Sequence, residues 1–578
     1  MQRQFLIAII LSFLVIYGWQ ALFPPPQPPK PAAEPQKVTA EPSGKAAPPV
    51  QPQAIAAPVE AEVNKPLLAA SNDEKVVVET TKVKAIFTAR GGALASWRLK
   101  DYRDGLNEEL ELIPQNLPGA ARPFMLEVDD PAVSARLKDA LFKPDRAALD
   151  VRGSMETLAF EFRDSGGLTA RKEFTFDPAH PYNITLTSSV TLNGSALQPT
   201  VVWGPALGTG VVHGGMGYAP PPQPIFYRDG KVKRVAIKEI ESHRREQGAF
   251  GFAGVDDHYF LSAVIPSTAA APNAAPLDLR FDPVLVAAQG DAPALQFISW
   301  SVKPGAPGER TDFFFGPKDF TILQAIKPDV VRAIDFGMFD VIVVPLLRAL
   351  KWVNGYVHNY GWSIIALTVI INLVMFPLRH KSAVSMRKMA ALQPEMKAIQ
   401  DRYAKMKMTD PGRQKMNEEV MALYKRHGAN PAAGCVPMLL TLPVLIAFYS
   451  MLSVAIELRG APFIGWIKDL SAHDPYFVTP VLMGVTQFVQ TRMTPMGGDP
   501  MQQKMMQFMP LMFAGMMLYM PSGLVLYWTV SNIWTIGQQA ITNRLLGPAP
   551  QHTVRPPAER QLKPAGAGRS PQAAKERK

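Results

Sequence analysis

Polar side chains recur at helical spacing inside the apolar segments of this sequence. Thr368 and Asn372 lie four residues apart in the apolar stretch GWSIIALTVIINLVMFP, and Asn532, Thr535 and Gln539 follow an i, i+3, i+7 spacing. Each set therefore occupies one face of a helix. Because an unpartnered polar group in hydrocarbon costs several kcal/mol, these faces must either hydrogen-bond to neighbouring helices or line water. Both alternatives concern binding and desolvation rather than bond-making chemistry.

Motifs that support enzymatic chemistry are missing from the sequence. It contains no H-E-x-x-H, G-x-S-x-G or P-loop pattern. Asp256, Asp257 and His258 could ligate a metal, but adjacent residues on a strand usually face different directions. We therefore predict that the protein is not an enzyme and has no catalytic residues, no metal and no cofactor.

The elements that carry the polar residues are predicted to be membrane spans. The first, about 361–378, is roughly 25 Å long as a helix, which is slightly short of a ~30 Å hydrocarbon core. A segment rich in Lys and Arg follows it, which places this end in the cytoplasm by the positive-inside rule. Further apolar segments lie at about 435–456, 477–491, 506–520 and 522–542.

The N-terminal segment 1–23 is also apolar, and it is either an uncleaved anchor or a cleaved signal peptide. The anchor is favoured because the apolar run is long and PPPQPP stands where a cleavage site would be expected. Counting the anchor, we predict six spans with both termini in the cytoplasm. The tail 546–578 is strongly basic, which agrees with that side.

The region between the anchor and the first internal span has two parts. Residues 24–70 are rich in Pro and Ala and predict an extended linker. From there the pattern has a period of two, as in LAFEFRD, where Leu158, Phe160 and Phe162 share one face. We predict one large β-sandwich over 71–335, outside the membrane. The chain has a single cysteine, so this domain must fold without an internal disulfide.

Two helical elements flank the first internal span. Residues 339–355 carry apolar and charged residues on opposite sides, which indicates a helix in the membrane interface rather than a further short span. Residues 379–430 show two apolar seams with 3-4 spacing around the turn MTDPGR, which predicts an antiparallel helical hairpin in the cytoplasm. This hairpin is either a solvated charged surface or a Met-lined contact surface, formed by Arg387, Lys388, Met389, Met396, Lys397 and Arg402.

Three stretches of the sequence are similar to a known family. GCVPMLLTLPVLIAFYSMLSVAIELRGAPFIGWIKDLSAHDPY, DPMQQKMMQFMP and PSGLVLYWTVSN closely resemble the Oxa/YidC/Alb family of membrane-protein insertases, over roughly residues 337–545. The anchor and the large β domain resemble the Gram-negative form by arrangement. The resemblance implies a polytopic α-helical membrane protein of the bacterial inner membrane, with a conserved five-span core at 336–545 and a periplasmic β-supersandwich domain.

The resemblance also implies a function and a site. A hydrophilic groove, open to cytoplasm and lipid, would receive polar segments of nascent membrane proteins while their apolar helices enter the bilayer. Its lining would include Thr368, Asn372, Thr441, Tyr527, Trp528, Asn532 and Thr535. Family members of this type usually carry an arginine where this chain has Asn372, so attraction of acidic substrate tails by that residue is not expected.

Partners follow from the same resemblance. They are nascent membrane proteins, the Sec translocon, the ribosome with the signal recognition particle machinery, and membrane lipids; DNA is not expected. The alternative is a secondary transporter or a channel for a small polar solute. It would require inverted repeats and ionisable residues at the membrane midplane, and neither is evident in the sequence.

Overall fold

A computed structural model describes most of the chain. The described residues are 64–104, 107–115, 117, 119–212, 222–266, 276–286, 295–403, 412–428, 432–493 and 509–546. The predicted anchor 1–23, the linker up to residue 63 and the tail from residue 547 lie outside them.

The first half of the described chain is rich in β-strands, as predicted. In chain order the strands are β1 (Pro66–Leu68), β2 (Lys75–Glu79), β3 (Val83–Thr88), β4 (Ala93–Arg103), β5 (Glu109–Glu111), β6 (Met125–Glu127), β7 (Lys143–Pro144), β8 (Ala148–Asp150), β9 (Glu156–Asp164), β10 (Leu168–Phe176), β11 (Asn183–Leu192), β12 (Ser195–Leu197), β13 (Thr200–Val212), β14 (Gln223–Arg228), β15 (Lys231–Arg234), β16 (Arg245–Gly248), β17 (Phe252–Asp256), β18 (Phe260–Ile265), β19 (Leu277–Val286), β20 (Leu295–Lys303) and β21 (Thr311–Pro317). A helix, α1 (Pro131–Asp139), and a 3-10 helix, Ile237–His243, interrupt them.

Within the described residues these strands form three sheets. The largest has the order β1-β9-β10-β11-β21-β18-β17-β14-β15, with β12 paired to β11 and β7 paired to β9. The other two have the orders β16-β19-β20-β13-β6 and β5-β4-β3-β2-β8. Pairing is antiparallel except between β2 and β8. The hairpin between β11 and β12 turns at Asn193 and Gly194, both with positive φ, as the Asn-Gly pair predicts.

One strand of the large sheet contacts both smaller sheets. Phe313 and Phe315 of β21 point to the same face, because side chains alternate along a strand. The Phe313 ring lies 5.6 Å from the Trp203 ring of β13, and the Phe315 ring lies 5.7 Å from the Trp97 ring of β4. The indole N–H of Trp97 also donates to the Phe315 carbonyl at 2.9 Å. Both smaller sheets therefore pack on one face of the large sheet.

The second half of the described chain is helical. Its helices are α2 (Phe320–Ile326), α3 (Asp340–Val357), α4 (Tyr360–Ala391), α5 (Gln393–Arg402), α6 (Gly412–Arg426), α7 (Ala432–Val454), α8 (Val478–Met493), α9 (Met509–Tyr519) and α10 (Ser522–Leu546). Short 3-10 helices lie at Pro328–Ala333, Gly337–Phe339 and Ile456–Leu458, and the last turn of α9, Met517–Tyr519, is also 3-10. A helix is thus present at each internal position where the sequence predicts a span.

Length and apolar composition single out one of these helices. In the described part of the chain, Tyr360–Ser385 is long and apolar enough to cross a membrane, whereas Pro443–Val454 and Met509–Tyr519 are shorter apolar helices. The helix does not end with the predicted span near residue 378, because α4 continues through Pro377 to Ala391. A proline removes one N–H donor, and the Arg, Lys, Met and Ala residues beyond it favour a helix.

The hairpin predicted within 379–430 is formed by α5 and α6. Its core contains Leu392, Ile399, Met416 and Leu423, with Met396 packed against them. Residues that lie later in α5 contact residues that lie earlier in α6: the Tyr424 hydroxyl lies 3.1 Å from the Met396 sulfur, and Arg402 pairs with Glu419 at 2.9 Å. The two helices are therefore antiparallel, and two of the seam methionines pack inside the hairpin rather than on its surface.

Candidate substrate groove

A polar stripe runs along α4. Thr368 and Asn372 are buried, and the Thr368 hydroxyl donates to the Ile364 carbonyl at 2.6 Å. The Asn372 amide nitrogen donates to the Thr368 carbonyl at 2.8 Å. The amide oxygen of Asn372 accepts a hydrogen bond at 2.6 Å from a guanidinium nitrogen of Arg379. The stripe therefore ends in a positive charge.

Arg379 is a site residue that sequence reasoning missed. Arg379 follows the predicted span 361–378, and the sequence assigns it only to the basic segment that indicates the cytoplasmic side. Residues seven apart lie on the same face two turns on, so the spacing from Asn372 to Arg379 is the signal that could have revealed it. Among the described residues, Arg379 is half-buried and has no acidic partner. Its remaining N–H groups are therefore available to another acceptor.

Some polar residues of α10 form hydrogen bonds to α8, and another forms one within α10 itself. Asn532 is buried and donates to the Met483 carbonyl at 3.4 Å and to the Thr486 hydroxyl at 3.3 Å, both on α8. The Trp528 indole donates to Gln487 of α8 at 3.3 Å. These two predicted groove residues thus connect α10 to α8, which is the inter-helix alternative. Thr535 donates to the carbonyl one turn earlier, at 2.8 Å.

The two helices with polar stripes run parallel. Gly523 near the start of α10 lies against Ile364 near the start of α4. Farther along, the Thr542 hydroxyl lies 3.4 Å from a ring nitrogen of His380, and Arg387 donates to the Thr542 carbonyl at 3.4 Å. The charged end of the α4 stripe therefore lies beside the C-terminal half of α10.

The opposite end of the same helices is apolar. The Tyr527 ring of α10 stacks on the Phe448 ring of α7, with 4.1 Å between centroids and 17° between planes. Ile364, Met451 and Leu524 are buried in the same cluster. The polar stripe is thus closed by a packed apolar layer at the end nearest α3 and open to polar groups at the other end.

The basic residues predicted as hairpin contacts differ in their exposure. Lys388, Lys397 and Arg402 are exposed, and Arg387 is half-buried against α10. The side chains of Met389 and Thr441 lie outside the described residues, although both positions are helical. Lys388 and Lys397 thus present their charges at the surface, whereas Arg402 is ion-paired with Glu419.

A β-rich domain, followed by a helical region with a long apolar helix and an internal polar stripe, is typical of an integral membrane protein. Residues 75–349 match the YidC periplasmic domain family, and residues 352–548 match the 60Kd inner membrane protein family. The membrane protein insertase YidC of Geobacter metallireducens is 36% identical over 95% of this chain and 99% of its own length. That of Syntrophus aciditrophicus is 34% identical over 94% of this chain and 100% of its own.

The chain belongs to the YidC family of membrane protein insertases. It is accordingly an insertase and not an enzyme, it resides in the inner membrane, and its β-rich domain is periplasmic. The transporter alternative is set aside. Among solved structures, an active YidC insertase with its first transmembrane domain resolved is similar over 84% of this chain and 96% of its own, with 18% identity and a TM-score of 0.33.

Proposed function

We propose that this chain moves nascent membrane proteins into the bilayer through a groove lined by α4 and α10, alone or with the Sec translocon. The anchor 1–23 and five helices of the region 336–545 cross the membrane, both termini are cytoplasmic, and α3 lies in the periplasmic interface. The hairpin of α5 and α6 is cytoplasmic. The groove opens on the cytoplasmic side, because its polar stripe continues toward that hairpin.

The observation that carries this proposal is the hydrogen bond from Arg379 to Asn372. It holds a half-buried guanidinium at the end of a polar stripe, with donors left over. A polar substrate segment that leaves water loses hydrogen bonds, at a cost of roughly 2–7 kcal/mol for each unpaired group. Arg379, Asn372 and groove water replace part of those bonds. The fixed positive charge also attracts a carboxylate in the substrate tail.

The test compares two cations on the same helix. Arg379→Gln removes the groove charge, and Lys381→Gln removes an exposed charge two residues farther on. Each variant is assayed in proteoliposomes with a small single-span substrate whose translocated tail carries two aspartates, and with the same substrate carrying asparagines. We expect Arg379→Gln to slow only the acidic substrate and Lys381→Gln to slow neither. Equal behaviour of the two variants would refute the role of Arg379.

Contact with the ribosome is proposed for the exposed basic residues. Lys388, Lys397 and Arg402 lie along α4 and α5, and the tail 547–578 adds further Lys and Arg. Reversing Lys388 and Lys397 should weaken ribosome binding and lower its dependence on salt, because fewer phosphate contacts release fewer counterions. Unchanged binding over a salt series would instead support a merely solvated surface.

A further inference from the structure

Three charged side chains meet where the β domain contacts the helical region. The Lys351 ammonium of α3 lies 2.9 Å from a carboxylate oxygen of Asp319 and 2.9 Å from one of Glu457. It also donates to the Thr321 hydroxyl at 3.0 Å. The Asp319 and Glu457 side chains are 14% and 8% exposed. These contacts therefore form a largely buried triad with one cation and two carboxylates.

Each member of the triad belongs to a different element. Asp319 follows β21 and caps α2 by accepting hydrogen bonds from the backbone N–H groups of Thr321 and Ile322. Glu457 lies in the 3-10 turn that directly follows α7. Burial alone would lower the pKa of Lys351, but Glu457 and Asp319 raise it above its ordinary value. The ammonium thus remains charged while it joins the β domain, α3 and the end of α7.

The apolar side of α3 explains why its position matters for the groove. Val343, Leu347, Leu350 and Val353 are buried there, and α3 packs on both α4 and α7. Those two helices contribute Ile364 and Phe448 to the apolar layer that closes the polar stripe. Apolar packing permits small sliding movements, whereas a buried ion triad has one favourable geometry. The triad therefore fixes α3 to the end of α7 and to the β domain, and α3 in turn packs on α4.

We propose that Lys351 is a positioning residue for insertion: through Asp319 and Glu457 it holds α3, and with it the periplasmic closure between α4 and α7. This inference rests on the proposed groove. A second pair of contacts supports a fixed junction at the same end of α7. A ring nitrogen of His258 donates to the Ser453 carbonyl at 2.7 Å, and the Arg459 guanidinium lies 5.3 Å from the centre of the Phe260 ring.

The alternative is that the triad stabilises the fold and has no role in insertion. Removing Lys351 alone cannot separate the two roles, because it leaves two buried carboxylates without a cation. Removing all three charges can separate them, because no buried charge is then left without a partner. The decisive variant is therefore the triple substitution Asp319→Asn, Lys351→Met and Glu457→Gln in the full chain.

The experiment measures three quantities for each variant: thermal stability in detergent, steady-state level in membranes, and insertion rate in proteoliposomes. We expect Lys351→Met to lower all three and Lys351→Arg to retain them. The triple variant should recover stability and level but insert at least about threefold more slowly, the change produced by ~0.65 kcal/mol in a barrier. Lys468→Met, an exposed lysine in the loop after α7, is the matched control.

Wild-type insertion by a stable triple variant overturns the proposal. If the triple variant does not accumulate, Glu457→Gln decides, because it keeps the Lys351–Asp319 pair and loses only the tie to α7. Its insertion should fall at an unchanged protein level, and wild-type insertion would again overturn the proposal. The groove is tested independently: a positioning defect slows acidic-tail and neutral-tail substrates equally, whereas Arg379→Gln slows only the acidic one.

Discussion

Substitutions at Asn372 test how the groove charge is held. Asn372→Asp keeps the size of the side chain and its acceptor for Arg379, but it loses the amide donor to the Thr368 carbonyl, and the new carboxylate cancels the guanidinium charge. The buried pair is close to neutral for stability, whereas the lost donor to Thr368 lowers it, so the amount of folded protein must be measured beside the insertion rate. A substrate carboxylate ~4 Å from an uncancelled charge gains about 4 kcal/mol at an effective dielectric constant of 20. Groove water screens part of this attraction.

We therefore expect Asn372→Asp to slow an acidic-tail substrate by about tenfold, equivalent to ~1.4 kcal/mol. Asn372→Leu removes the acceptor for Arg379 altogether. The lost stabilisation is about 1.5–3 kcal/mol, the contribution of a hydrogen bond to a charged group. It should slow acidic and neutral substrates alike, because the stripe also loses its amide. Asn372→Arg should be tolerated, because a positive charge stays at the stripe even if Arg379 is displaced toward water.

The assay is insertion of the paired acidic-tail and neutral-tail substrates into proteoliposomes, normalised to the amount of folded insertase. The ratio of the two rates isolates the charge effect from any general loss of activity. An Asn372→Asp variant with an unchanged ratio would show that Arg379 does not act on substrate carboxylates. A fully active Asn372→Leu variant beside a destabilised Asn372→Arg variant would show that Asn372 only packs helices together.

Three further predictions concern the β domain and the topology. Lys172→Met should lower the free energy of unfolding of the domain by about 3 kcal/mol or more, measured by chemical denaturation. The fully buried side-chain nitrogen of Lys172 donates to three backbone carbonyls, which the substitution leaves unpaired. Arg171→Met, at the exposed neighbouring residue, should change the free energy of unfolding by no more than about 0.5 kcal/mol. Hydrogen bonds from Arg245 hold the pKa of Asp278 below its ordinary value, so its stabilising contribution should disappear as pH falls below about 4, and Asp278→Asn should flatten that part of the stability curve. In a variant lacking Cys435, cysteines placed in the hairpin of α5 and α6 should resist membrane-impermeant thiol reagents, and periplasmic labelling there would overturn the proposed topology.

Local patterns in the sequence were sufficient to predict the strands and helices. The alternation of Leu158, Phe160 and Phe162 predicted a strand with one buried face, and all three side chains are buried in β9. The 3-4 seam that contains Leu392 and Ile399 predicted a helix pair, and the structure packs those residues in the hairpin core. Such patterns are readable because a periodicity of 2 or 3.6 residues directly reflects which side of an element is buried.

The groove was predictable only in part. The spacing of Thr368 and Asn372 placed both on one face of a helix, and the structure shows them joined by a hydrogen bond. Arg379 lies just beyond the predicted span, in the basic segment that indicates the cytoplasmic side, so its sequence context does not mark it as part of the stripe. Whether a helix continues through a proline depends on packing around it, which the local sequence does not specify.

The sequence by itself determined the class of the protein: its alternating and helical apolar periods, its basic segments and its family motifs depend on local composition. Only the tertiary structure decided which charges meet. Asp319, Lys351 and Glu457 are far apart in the chain, and each is an ordinary charged residue in its own segment. They form a triad because the packing of α3 against α4 and α7 brings them together. Contacts of this kind depend on how elements are arranged in space, and no periodicity in the chain encodes that arrangement.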